Sequence, residues 1–127
     1  MENARDWLHR KAGKPSEQVC PIRIYKHPTS LDRNKLAEWF NNFGYKIGVE
    51  IGVRRAEFSE VMLKANPNLE KLFLVDPWWT EDITSRRRGE ERQNKDYDIC
   101  VKRMQQFGNR VQILKMTSMQ AVEKIPD

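Results

Sequence analysis

Two neighbouring stretches carry most of the information in this chain: Lys46-Ile47-Gly48-Val49-Glu50-Ile51-Gly52-Val53-Arg54-Arg55-Ala56-Glu57-Phe58-Ser59 and Leu72-Phe73-Leu74-Val75-Asp76-Pro77-Trp78-Trp79. The first reads as a buried strand that breaks at an acid and a glycine into a helix. The second reads as another buried strand ending in an acid. Gly52 falls where strand must turn sharply into helix; lacking a Cβ, it takes a positive φ and lets a ligand lie against its backbone. Glu50 sets a carboxylate at the strand's carboxyl end, which is where ligands bind in an open α/β sheet.

The acid bears on the ligand class. A pyrophosphate needs glycine-rich backbone at the helix N-terminus and no negative charge beside it. Here Glu50 would repel it, and G-x-G-x-x-G is absent. A ligand with an ammonium group and a sulfonium centre would instead be attracted, which favours S-adenosylmethionine over NAD. Asp76 follows Gly52 at about the interval where nucleoside folds place the acid that accepts the ribose hydroxyls. A carboxylate can accept from both at once. Pro77 stiffens the exit from the strand. Trp78 or Trp79 lies against adenine or ribose, or one of them packs beneath the loop.

Val49-Glu50-Ile51-Gly52 with Phe58-Ser59, followed by Val75-Asp76-Pro77-Trp78, resembles the Rossmann-like (class I) S-adenosylmethionine-dependent methyltransferases. The likeness is closest to a bacterial and phage branch reading roughly E-I-G-x-x-x-G-x-F-S, then D-P-W, and it covers about residues 46–125. Ala56 stands where that branch has its second glycine. The resemblance implies a three-layer α/β fold with a parallel sheet and S-adenosylmethionine as cofactor. It also implies a binding set of Glu50, Ile51, Gly52, Asp76, Pro77, Trp78, Thr117 and Ser118. Glu50 would face the methionine amino group, Gly52 the carboxylate side and Asp76 the ribose. Arg54 or Arg55 would pair with the methionine carboxylate, or be surface residues of the first helical turn.

The 127 residues are enough for one domain with a core, and 39% hydrophobic with 32% charged residues suits a globular protein with a charged surface. No apolar run approaches the roughly eighteen residues of a membrane span, and no signal-peptide core precedes the first helix, so a cytoplasmic protein is expected. The net charge of +5 permits attraction to nucleic acid but is a modest excess. Cys20 and Cys100 are far apart and form no C-x-x-C, so they read as two free or buried thiols, with no metal site assigned.

Along the chain, residues 1–28 read as an N-terminal arm: a short helix, a loop and an extended piece ending at His27-Pro28. The arm either packs Trp7 and Ile24 on the core or serves as a substrate lid. Residues 29–127 form the partial cofactor-binding domain. Thr29 or Ser30 caps a helix whose Leu36, Trp39, Phe40 and Phe43 share one face, and Gly44 closes it. Strands are predicted over residues 45–51, 71–75 and 111–114. Phe58, Val61, Met62 and Ala65 mark the helix between the first two, ended by Asn66-Pro67-Asn68. Residues 80–95 read as a polar, solvated loop whose Arg86-Arg87-Arg88 alternatively meets acceptor phosphates. Tyr97, Cys100, Val101, Met104 and Phe107 mark a further helix ended by Gly108-Asn109. Thr117-Ser118 then sits at the third strand's end, with Ser118 as N-cap of a helix over 119–124.

In the resembling family a fourth strand follows beside the first. The sheet is therefore expected to be truncated after the third strand and its helix. The outer edge of the first strand is expected to be open to self-association or to a partner chain. No Ser/His/Asp or Cys/His set is present and no catalytic residue is assigned; methyl transfer requires alignment rather than proton chemistry. The competing readings are a basic nucleic-acid-binding module on a Rossmann-like scaffold and, disfavoured by Glu50, an NAD-type domain.

Overall fold

The structure, a computed structural model, describes residues 32–79 and 89–126. The arm assigned to residues 1–28, the Thr29 and Ser30 caps and the Arg86-Arg87-Arg88 run lie outside the described residues. The elements in chain order are α1 (Arg33–Asn41), β1 (Ile47–Ile51), α2 (Glu57–Ala65), β2 (Lys71–Val75), α3 (Glu90–Met104), β3 (Val111–Leu114) and α4 (Ser118–Ala121). Short 3-10 segments, Gln105–Arg110 and Val122–Lys124, follow α3 and α4.

The sheet is parallel with order β1-β2-β3, so β2 is central. That position explains its composition: four of its five residues are buried, as a strand covered on both faces requires. One face carries Leu72 and Leu74 against Ala56 and Leu63 of the α2 region, Cys100 and Met104 of α3, and Trp78. The other carries Phe73 and Val75 against Leu114, Ala121 and Ile125. The described residues thus form an α/β unit built around a three-stranded parallel sheet.

Several boundaries differ from the sequence reading. The α1 cap is Asp32, whose carboxylate accepts the Lys35 N–H at 2.8 Å, as a short acid at N-cap does. The helix stops at Asn41, and Gly44 takes its left-handed φ of 63° three residues later. α2 buries Ser59 and Leu63 more deeply than the predicted Phe58, Val61, Met62 and Ala65. Asn66, just beyond α2, ties α1 to it by donating from Nδ2 to the carbonyls of Ala37 and Met62. Arg110 caps the same helix end through the carbonyls of Leu63, Asn66 and Leu69, where a cation complements the dipole. α3 begins at Glu90, so residues 90–95, predicted as loop, form its first turns. Gln93 and Asp96 face inward there, and this tertiary burial overrides the polar composition. α4 begins at Ser118 with Thr117 as N-cap; Thr117 and Gln120 form a reciprocal capping box.

Candidate functional site

β1 ends in a loop held in an uncommon conformation. Gly52 has φ 84°, and the non-glycine residues Arg54 and Ala56 both have φ 57°. A left-handed L-residue costs about 1–2 kcal/mol, so the loop persists only because other groups hold it. Those groups come from the exit of β2. Val75 accepts the Gly52 N–H at 2.9 Å. Asp76 Oδ2 accepts the N–H groups of Val53 and Arg54, each at 2.9 Å, while Oδ1 accepts the Trp78 N–H at 2.7 Å. Trp78, itself at φ 47°, donates its Nε1–H to the Arg54 carbonyl at 2.7 Å.

Two chemical consequences follow. The paired N–H groups of Val53 and Arg54, which in a phosphate-binding loop would face an anion, are already filled by an internal carboxylate. A pyrophosphate is therefore not accommodated at them. Of the roughly four acceptor positions of a carboxylate, Asp76 uses three, leaving one on Oδ1. That suffices for one ribose hydroxyl, not for the two expected of a free acid.

Glu50 shares the sheet face of Leu72 and Leu74, one strand across from the β2 tip. Its Oε2 accepts the Ser59 hydroxyl at 2.5 Å. Burial pushes its pKa above the ordinary carboxylate value, while the Ser59 hydrogen bond and the Arg33 charge pull it partly back. Relative to the unfolded chain the fold disfavours the charged carboxylate, so Glu50 costs stability as pH rises from the ordinary carboxylate value through the raised folded one. A cation delivered to this carboxylate would relieve that.

Arg54 and Arg55 are committed elsewhere: Nε of each meets Asp96 of α3, at 3.3 and 2.5 Å. Asp96 is only 2% exposed; burial alone would raise its pKa, but the two guanidiniums outweigh it and hold the carboxyl below the usual range. A depressed pKa stabilises fully above the unfolded value of about 4, and the contribution is lost as pH falls through the folded one. Asp96→Asn is therefore expected to lower stability at pH 7 by about 2 kcal/mol and to flatten the acid limb of the stability profile. Urea unfolding at a series of pH values checks this; an unchanged acid limb would refute it. The sequence reading includes Ser59 in the motif without a role and does not include Asp96. The i, i+4, i+8 row of Asp96, Cys100 and Met104 places the acid on the buried stripe, which was the available signal.

The remaining predicted residues separate. Trp78 is 2% exposed, edge-on to Tyr97 at 4.9 Å, so it is the tryptophan that packs beneath the loop. Trp79 and Pro77 are half-buried at the β2 exit. The Ile51 side chain, 69% exposed, stands on the sheet face opposite Glu50. Thr117 and Ser118 follow β3, whose last residue Leu114 registers with Val75. Ala56 is fully buried in the core, so its Cβ faces the core rather than a ligand. Over Gly52 nothing lies within 4 Å of where a Cβ would be. Cys100 is a buried free thiol pushed up to about 12 by burial and by the nearby Asp76 and Glu50 charges, which makes it inert. Cys20 lies outside the described residues.

A cavity of about 200 Å³ runs beside β1, lined by Phe40, Ile47, Phe58, Met62 and Leu72 among others, with Glu50 contributing a carboxylate. Gly52, Asp76, Pro77, Trp78, Thr117 and Ser118 do not line it. It is also smaller than the roughly 300–1,000 Å³ of small-molecule pockets. It is an apolar recess beside β1 that Glu50 reaches and the other predicted binding residues do not. Among the described residues no cluster of three or more metal-ligating side chains occurs, and no helix is long and apolar enough to cross a membrane.

The chain matches no protein-family model, no curated protein and no solved structure. Fold and site together define it as an α/β chain whose parallel strand tips carry two carboxylates across a glycine turn.

Proposed function

We propose that this chain is the cofactor-binding half of a Rossmann-like S-adenosylmethionine-dependent methyltransferase. The strained β1–α2 loop is the observation that carries the reading: non-glycine left-handed residues clamped at the carboxyl ends of adjacent parallel strands are a feature of functional sites. The strand order β1-β2-β3 is that of one half of a doubly wound sheet. The filling of the loop's N–H pair by Asp76 argues against a dinucleotide. Glu50, desolvated and oriented by Ser59, suits an ammonium group.

In this reading Glu50 holds the methionine amino group, the open backbone at Gly52 admits the methionine part, and Asp76 keeps one acceptor for the ribose while it shapes the loop. Thr117 and Ser118 border the adenine side. Trp78 supports the loop from below and Trp79 is the tryptophan left to meet the nucleoside. The cofactor, when bound, supplies an electrophilic methyl group on its sulfonium; the chain's own residues bind and orient it.

Calorimetric titration of the full chain with S-adenosylhomocysteine and with NAD tests this. S-adenosylhomocysteine is expected to bind, and Glu50→Gln is expected to weaken it about 10- to 100-fold, the loss of one charge-assisted hydrogen bond. Glutamine keeps an acceptor for Ser59 and removes a desolvated charge, so the variant is expected to be at least as stable as the parent at pH 7. Binding of NAD alone, or S-adenosylhomocysteine binding indifferent to Glu50→Gln, overturns the reading.

A further inference from the structure

β1 is the end strand of the sheet, and its side chains make an unusual edge. Tyr45, Ile47, Val49 and Ile51 are 57, 49, 43 and 69% exposed, an alternating row of large apolar groups beside backbone that no strand among the described residues pairs. Natural edge strands are ordinarily blunted by charge, proline or a bulge.

The backbone direction follows from the bonds made to β2. Lys46 gives its carbonyl to the Lys71 N–H and Gly52 gives its N–H to Val75, so even-numbered residues point inward to β2. Successive residues in a strand alternate. Ile47, Val49 and Ile51 therefore direct both N–H and C=O outward, and Tyr45 continues the row.

We infer that this edge pairs antiparallel with β1 of a second copy of the chain, about a two-fold axis at Gly48. Residues whose numbers sum to 96 then face each other, and the outward groups of Ile47 and Val49 bond to those of the second copy's Val49 and Ile47. On one sheet face Ile47 meets Val49 and Tyr45 meets Ile51, so all four exposed apolar residues gain an apolar neighbour. On the other face Gly48 meets Gly48, and Lys46, whose Nζ lies 3.1 Å from the Glu70 carboxylate of its own chain, stands across from Glu50, an opposite charge that already accepts the Ser59 hydroxyl. A register centred on Val49 also satisfies the backbone. It leaves Tyr45 opposite Val53, which is already buried, and sets Lys46 against Gly52 and Glu50 against Gly48, losing both charge pairs. Side-chain complementarity therefore selects the Gly48-centred register. This pairing rests on the sheet edge, and Glu50 is the residue it shares with the cofactor reading.

Sedimentation of the full chain across a wide concentration range is expected to show a reversible dimer of twice 15.1 kDa. Val49→Pro removes an outward N–H that β2 does not use, a substitution edge strands tolerate, and should weaken the dimer about tenfold or more. Register is read by cysteine pairs in a Cys20→Ser background. Mixing Ile47→Cys with Val49→Cys chains is expected to give a mixed disulfide in excess over either self-disulfide, hydrogen-bonded pairs having Cα atoms about 5.5 Å apart. Should Val49→Pro fail to fold by circular dichroism, the cysteine pairs alone decide. A monomer at every concentration, a dimer indifferent to a folded Val49→Pro, or a dominant Val49→Cys self-disulfide overturns the inference. Slow hydrogen exchange at Ile47, Val49 and Ile51 in a monomer would assign the edge to another segment of the same chain and likewise overturn it.

Discussion

Asp76→Ala is expected to remove about 4 kcal/mol of stability, a large part of the roughly 5–15 kcal/mol that holds a domain of this size together. The carboxylate accepts three backbone N–H groups, and a hydrogen bond to a charged group contributes about 1.5–3 kcal/mol. The three act as a unit and the freed N–H groups are partly rehydrated, so the sum is discounted. The loop also loses what holds Arg54 and Ala56 at positive φ. Thermal unfolding should show a fall on the order of 15 °C. Asp76→Asn keeps the shape and one acceptor oxygen but turns an N–H₂ toward one set of donors, so about half of the loss is expected. An Asp76 that served only the ribose would give the opposite pattern: stability unchanged within about 0.5 kcal/mol and cofactor binding abolished. Urea unfolding and S-adenosylhomocysteine titration on the same variant separate the two.

Trp78→Ala is expected to destabilise by a similar amount, about 4 kcal/mol, through the cavity left by a large buried ring. The ring is 2% exposed, contacts Tyr97 edge-on and ties the Arg54 carbonyl through Nε1. Trp78→Phe retains most of the apolar volume and loses the Nε1 bond, leaving the Arg54 carbonyl without its partner, so about 1–2 kcal/mol is expected. Chemical denaturation of both variants checks the order. If Trp78→Ala proved as stable as the parent while nucleoside binding fell, the ring would have to lie at the ligand rather than in the core.

These two residues also show where sequence reading succeeds and where it stops. The apolar runs, the helical spacing of apolar residues and the glycine and proline punctuation place β2 and β3 at their observed bounds, and β1 and α2 to within a residue or two. Burial and local propensity act over the same few residues there, so a linear pattern suffices. The polar stretch before Asp96 reads as loop yet forms helix, because that helix is stabilised from outside itself. Arg54 and Arg55 reach Asp96 across 42 and 41 positions of sequence. The same two arginines looked free for a ligand carboxylate until that partner appeared.

The identities at the strand tips are a property of the sequence alone. Glu50 and Gly52 end one apolar run and Asp76 ends another, and no folding event alters which charges arrive there. What those charges do is decided only in three dimensions. Packing brings the Val53 and Arg54 amides against Asp76, turning an apparent free ligand into a loop clamp with one acceptor left over. It puts Ser59 on Glu50 and turns Trp78 inward. The physical reason is range: periodicity and propensity are written within a turn or a strand, whereas hydrogen-bond partners and desolvation depend on which distant segments are brought into contact.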